Sequence, residues 1–61
     1  MKFSEFCGVL PGGCVIEVRD VNNVNVCVIK ADSRGVEPYA ECNVLLATPD
    51  AYNHVTVKLE Y

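Results

Sequence analysis

Residues 14–31, Cys-Val-Ile-Glu-Val-Arg-Asp-Val-Asn-Asn-Val-Asn-Val-Cys-Val-Ile-Lys-Ala, read as two β-rich runs joined by a turn. The first strand covers about 14–20 and the second about 24–31. Between them, Val21-Asn22-Asn23 suits a three-residue loop, with Asn23 able to adopt the left-handed conformation. That register sets Ile16 and Val18 beside Val28 and Val26 on one face, and Val15, Glu17 and Arg19 opposite Ile29, Cys27 and Asn25 on the other. A two-residue Asn22-Asn23 loop would instead pair Ile16 and Val18 with Ile29 and Cys27, because a one-residue slip reverses every side chain. The three-residue loop is preferred. Under either register the second strand is apolar on both sides. This predicts a sheet covered by a helix on one face and curled or contacted on the other.

Upstream, Phe3, Phe6, Cys7 and Leu10 fall at i, i+3, i+4 and i+7, the spacing of one helix face. Leu10-Pro11-Gly12-Gly13 ends that helix, since proline removes a donor and glycine permits a reversal. So short a helix is unstable alone and must dock its Phe face on the sheet. Downstream, Asp32-Ser33-Arg34-Gly35 is a turn, and Val36–Glu41 an irregular link with a helical turn opened by Pro38. Tyr39, Cys42, Leu45 and Leu46 have near-helical spacing. A strand at about 43–48 is nevertheless preferred, because Pro49-Asp50-Ala51-Tyr52-Asn53 then supplies the turn of a second hairpin. In the last strand Val55, Val57, Leu59 and Tyr61 face inward, and His54, Thr56, Lys58 and Glu60 outward. The expected fold is α+β, one small domain over 1–61. A short N-terminal helix precedes two β-hairpins that form a four-stranded antiparallel sheet, either open or coiled toward a barrel.

The chain has 61 residues, is 51% hydrophobic and 21% charged, and lacks tryptophan. That composition belongs to a folded domain and not to a disordered tail. Its formal charge is −3. Lys2, Arg19, Lys30, Arg34 and Lys58 are scattered, whereas phosphate-backbone binding needs several basic contacts together. This argues against nucleic acid as a partner unless the fold gathers Arg19, Lys30, Arg34 and Lys58 into one patch. No apolar run approaches the roughly 20 residues that span a bilayer. Met1–Pro11 lacks a sustained apolar core, so it does not read as a signal peptide. No membrane association and a cytoplasmic location in a bacterial host cell are the expectations.

Cys7, Cys14, Cys27 and Cys42 are separated by six, twelve and fourteen residues, with no close pair. Structural zinc favours Cys-x2-Cys pairs, and stable disulfides are uncommon in the cytoplasm. Three of the four lie in apolar runs, where free cysteine packs as a small hydrophobe. Core packing is therefore the preferred role, although a Cys7–Cys14 link is open to the chain. No metal and no cofactor are expected.

His54 is the single histidine, beside a turn and on the outward side of its strand. Cys42, His54 and Asp50 could be drawn as a Cys-His-Asp set, but so short a chain has little material for a substrate cleft as well. Gly12-Gly13 lacks the lysine and hydroxyl of a phosphate loop, and Asp20, Asp32, Glu37 and Glu41 lack calcium-loop spacing. Tyr39, Tyr52 and Tyr61 are core-edge residues or interface anchors in the absence of basic neighbours. No catalytic residue is assigned, and the expectation is that the protein is not an enzyme.

A start of Met-Lys-Phe-Ser-Glu-Phe, a strand Val-Ile-Glu-Val-Arg-Asp, an Asn-rich turn and a closing His-Val-Thr-Val-Lys-Leu-Glu-Tyr resemble short uncharacterised bacteriophage and prophage proteins. The resemblance covers most of the chain as a pattern and carries over no functional residue. It implies a small cytoplasmic accessory factor that binds a protein. The two-sided apolar second strand makes Val24, Val26 and Val28 the candidate interface, toward a protein partner or a second copy of the chain. The alternatives are a nucleic-acid-associated accessory protein with a barrel-like surface and a structural homo-oligomer.

Overall fold

A computed structural model describes residues 1–60, in the order α1 (Phe3–Gly8), β1 (Val15–Arg19), β2 (Asn25–Lys30), a 3₁₀ helix (Arg34–Tyr39), β3 (Asn43–Ala51) and β4 (His54–Glu60). The inward placement expected of Tyr61 lies outside the described residues. One sheet holds all four strands in the order β2-β1-β4-β3. Both expected hairpins form, as antiparallel pairs β1–β2 and β3–β4. They join through β1 and β4, which run parallel, with Ile16 beside Val55 and Val18 beside Val57. The sheet is therefore mixed and open. The expectation of a purely antiparallel sheet, or of closure into a barrel, is corrected.

Two properties of the strands account for this order. Ile16, Val18, Val55, Val57 and Leu59 are all buried, and they alternate strictly along β1 and β4. Placing those two strands at the centre surrounds the most regular apolar rows on both sides. β3 contains Pro49, which has no backbone N–H and so suits an edge strand. An antiparallel meander would have put β2 and β3 in the middle, with Pro49 inside the sheet.

The first hairpin combines the two registers that the sequence allows. Asp20 and Val24 close a three-residue Val21-Asn22-Asn23 loop, with the Asp20 N–H donating to the Val24 carbonyl at 3.0 Å. Asp20 Oδ1 also accepts from the backbone N–H groups of Asn22 (2.8 Å) and Val24 (3.0 Å). Asn23 takes the left-handed conformation at φ 65°. Arg19 lies opposite Asn25 as the three-residue loop requires, but the ladder then shifts. Val18 pairs with Cys27, Glu17 with Val28 and Ile16 with Ile29. Val26 is the additional residue of a β-bulge, and both Val26 and Cys27 pack against the core. The preferred pairing of Ile16 with Val28 and Val18 with Val26 is thus corrected.

α1 docks as its spacing predicts: Phe3 and Cys7 are buried, and Phe6 and Leu10 pack against the core cluster. The Glu5 carboxylate accepts from the Lys2 backbone N–H at 2.8 Å, satisfying a donor at the helix entry. The 3₁₀ helix forms over the link expected to be irregular, with Pro38 inside it. The alternative helix over 38–47 does not form. Gly35 lies so close to Ile29 that a Cβ on it would come within 2.7 Å of Ile29 Cγ2. α1 and the 3₁₀ helix thereby make a second layer on one sheet face, and the other face is open.

β3 is longer than expected, continuing through Pro49, Asp50 and Ala51 with irregularities at Leu45 and Asp50. The turn contracts to Tyr52-Asn53, where Asn53 has φ 58° and its side-chain amide donates to the Gly13 carbonyl at 3.2 Å.

Candidate functional site

Three surface features emerge from this arrangement: the β2 edge, the polar row of the open face, and a cleft at the β3–β4 turn. β2 ends the sheet on one side, so one of its backbone edges faces no strand. Val28 lies opposite Glu17 on the open face and is 56% exposed, and Val24 in the closing turn is 57% exposed. Val26, the third residue of the candidate interface, is half-buried against the core because the bulge turns it inward. The fold thus leaves Val24 and Val28 exposed and withdraws Val26. The position of the bulge carries no evident sequence signal, since Val-Asn-Val-Cys-Val fits either register.

On the open face, Arg19 and Lys58 are neighbours in the parallel pair β1–β4, and Lys30 lies opposite Val15 at the far end of β1. Arg34 opens the 3₁₀ helix, outside the sheet. Arg19 is already engaged: its Nε donates to Glu17 Oε2 at 2.8 Å and its Nη1 to the Asn23 carbonyl at 3.0 Å. Of the four basic residues whose convergence a nucleic-acid reading would need, only Arg19 and Lys58 are adjacent, and Arg19 is neutralised by Glu17.

His54 and Asp50 do come together, with Nδ1 3.2 Å from Asp50 Oδ2, and the Thr56 hydroxyl donates to the same oxygen. The bulge at Asp50 explains the contact, since it lets one carboxylate reach two β4 residues on the same face. Cys42 is not part of this group. It precedes Asn43, which lies opposite Glu60, while His54 lies opposite Ala51 at the other end of the hairpin. Six residues of extended chain separate those ends by about 20 Å at ~3.3 Å per residue. Cys14 is nearer in the fold: it is buried in the core layer with Ile16, and it lines one cleft together with His54. The drawn Cys-His-Asp set is thereby reduced to a surface His54–Asp50–Thr56 contact from which Cys42 is removed.

All four cysteines are free. Cys7 and Cys14 are buried, and Cys27 and Cys42 half-buried. Burial pushes the Cys7 thiol up from its ordinary range, and proximity to Cys14 adds to the effect. No group of three or more His, Cys, Asp or Glu side chains is placed to hold a metal ion among the described residues. No helix among them is long and apolar enough to cross a membrane.

The third feature is a cleft of about 290 Å³ at the turn end of the second hairpin. Leu10 and Pro11 from the loop after α1 face Pro49 and Ala51 of β3, with the buried Cys14 and Val55 at its base. Tyr52, at its rim, is 98% exposed. The sequence signs of this feature are Leu10-Pro11 and Pro49, read there only as a helix stop and a turn.

Comparison of the chain with known protein families, with characterised proteins and with solved structures finds no match.

Proposed function

We propose that this protein is a small protein-binding modulator that acts through its β2 surface. The observation carrying the reading is that β2 is an edge strand with Val24 and Val28 each more than half exposed beside it. An edge offers unpaired N–H and C=O groups to an incoming strand, and flanking apolar side chains add area that water solvates poorly. β2 contains no proline, its one charged residue, Lys30, stands at its end, and the bulge at Val26 leaves Cys27–Lys30 as a regular run. A catalytic reading has less support, because Cys42 lies at the far end of the hairpin from His54–Asp50. A nucleic-acid reading has less support as well, because Arg19 is held by Glu17.

The test is a comparison of the parent with a Val24→Lys/Val28→Lys variant, using affinity capture from host-cell extract and light scattering over a range of concentrations. A stoichiometric partner captured by the parent and lost by the variant supports the proposal. A dimer of the parent that the variant abolishes would reassign this surface to self-association. Equal capture by both proteins, or none by either, would overturn the β2 assignment.

A further inference from the structure

Cys7 and Cys14, both free and buried, belong to one core cluster. The chain between them doubles back through two turns. The Leu10 N–H donates to the Cys7 carbonyl at 3.2 Å, and the Cys14 N–H donates to the Pro11 carbonyl at 3.2 Å. Gly12-Gly13 makes the second turn, with Gly13 at φ 80°, a conformation that glycine adopts without strain. The two thiols end close enough for the charge of one to act on the other. The remaining cysteines are placed differently. Cys27 lies opposite Val18, four strand residues along from Cys14, or about 13 Å. Cys42 stands beside the start of α1, where its carbonyl accepts from the Phe3 N–H at 2.9 Å, a full helical turn from Cys7. Cys27 and Cys42 are kept apart by the two central strands of the sheet.

We propose that Cys7 and Cys14 are a modification site at which hydrogen peroxide forms a disulfide, independent of the β2 surface. The two sulfurs have unequal roles. Cys14 lines the cleft and Cys7 does not, so a small uncharged oxidant reaches Cys14 first. The Cys14 sulfur, having given up its proton, attacks one peroxide oxygen. The O–O bond breaks, and the hydroxide that leaves takes up the proton as water. Cys14 is then a sulfenic acid, which condenses with a nearby thiol. Cys7 is that thiol: its sulfur attacks the Cys14 sulfur, and the sulfenic hydroxyl leaves with the Cys7 proton as a second water. Two thiols are oxidised and one peroxide is reduced to two waters. Burial pushes the Cys7 thiol up and so keeps it protonated, which suits the second role and not the first. The bridge fixes the exit loop of α1 at both ends, with the cleft residues Leu10 and Pro11 inside the closed loop.

The positions of lysine and arginine make the test direct. Trypsin releases Phe3–Arg19 as one peptide holding both cysteines, and it places Cys27 and Cys42 in two separate peptides. The native full chain is treated with hydrogen peroxide, unfolded, alkylated and digested without reduction. Phe3–Arg19 is expected to be lighter by the mass of two hydrogens, to carry no alkyl group, and to take up two alkyl groups once reduced. The Cys27→Ser/Cys42→Ser variant should give the same product to the same extent. Phe3–Arg19 that remains doubly alkylated after peroxide, or that gains only oxygen, would overturn the proposal. So would a cross-link from it to the peptide of Cys27 or Cys42, or loss of the product in the double variant. None of these outcomes bears on capture through Val24 and Val28, so the β2 reading stands or falls separately.

Discussion

Ile16 of β1 and Val55 of β4 lie side by side in parallel register, both buried, although each belongs to a different hairpin. This contact is what makes two marginal hairpins into one sheet. An isolated two-stranded hairpin is barely stable in water, and three or more strands with an apolar face are needed for independence. The β1–β4 seam supplies the extra strands to both, and Phe3 of α1, fully buried, joins the same core cluster.

Truncation in β4 should be severe. Val57 and Leu59 are both fully buried. Leu59→Ala should cost about 2–5 kcal/mol and Val57→Ala somewhat less. At roughly 0.05–0.15 kcal/mol per residue, a chain of this size has only about 3–9 kcal/mol of stability in total. Urea titration should therefore show Leu59→Ala largely unfolded at low denaturant. A midpoint equal to the parent's would mean that β4 is not the central strand.

Two glycines should respond in opposite directions to alanine. Gly8 is in the last turn of α1 with open space around it, so Gly8→Ala should stabilise by about 0.5–1 kcal/mol through helix propensity. At Gly35 a Cβ would meet Ile29 Cγ2 at 2.7 Å and Ile29 Cβ at 3.1 Å. Relieving that overlap requires the 3₁₀ helix or β2 to move, and overpacking of this kind costs about 1–3 kcal/mol. Thermal melts of the two variants should bracket the parent. If Gly35→Ala melts at or above the parent, the 3₁₀ helix is not seated on β2 as described.

The contrast between local and non-local information shows in the same elements. The α1 face, the left-handed Asn23 and the alternation of β4 follow from spacing and side-chain chemistry within a few residues, and all were legible. How the hairpins join was not, because Ile16 and Val55 meet only in the assembled sheet. One sign was present in Pro49: once β3 is seen to run through it, an edge position follows, and the parallel β1–β4 seam with it. The β2 register failed for a different reason. Val24, Val26 and Val28 are identical in chemistry, so the pattern cannot say which residue the bulge absorbs. At the surface, the His54–Asp50 contact was within reach of sequence reading. The cleft was not, since its walls come from α1's exit loop and the second hairpin.

The Lys2–Glu41 ion pair should contribute little. Its 2.7 Å contact raises the Lys2 pKa, first through the hydrogen bond to Glu41 and then through that carboxylate's charge, but the two side chains are 52% and 78% exposed. A raised lysine pKa adds stability that is complete below the ordinary lysine value and is lost as pH rises through the raised one. Exposure and salt screening reduce that addition further. Glu41→Gln should leave the neutral-pH melting midpoint unchanged within error, at both low and high salt. A clear drop at low salt would show that the pair clamps Met1–Phe3 onto β3 more firmly than its exposure implies.

Cys7 gives the protein an alkaline weakness. Burial, assisted by nearby Cys14, pushes its thiol up, so the folded state disfavours the thiolate that the unfolded chain forms freely. With the folded pKa above the unfolded one, this contribution is complete below the ordinary thiol range near about 8.5 and is lost as pH rises through the folded value. The melting midpoint should fall above about pH 8.5, and Cys7→Ala, though less stable at neutral pH, should fall less steeply. The same burial orders thiol reactivity. Ellman's reagent should modify half-buried Cys27 and Cys42 in the native protein, and Cys7 and Cys14 only after denaturation. Native labelling of Cys7 at the rate of Cys42 would place α1 away from the sheet and contradict the burial on which both expectations rest.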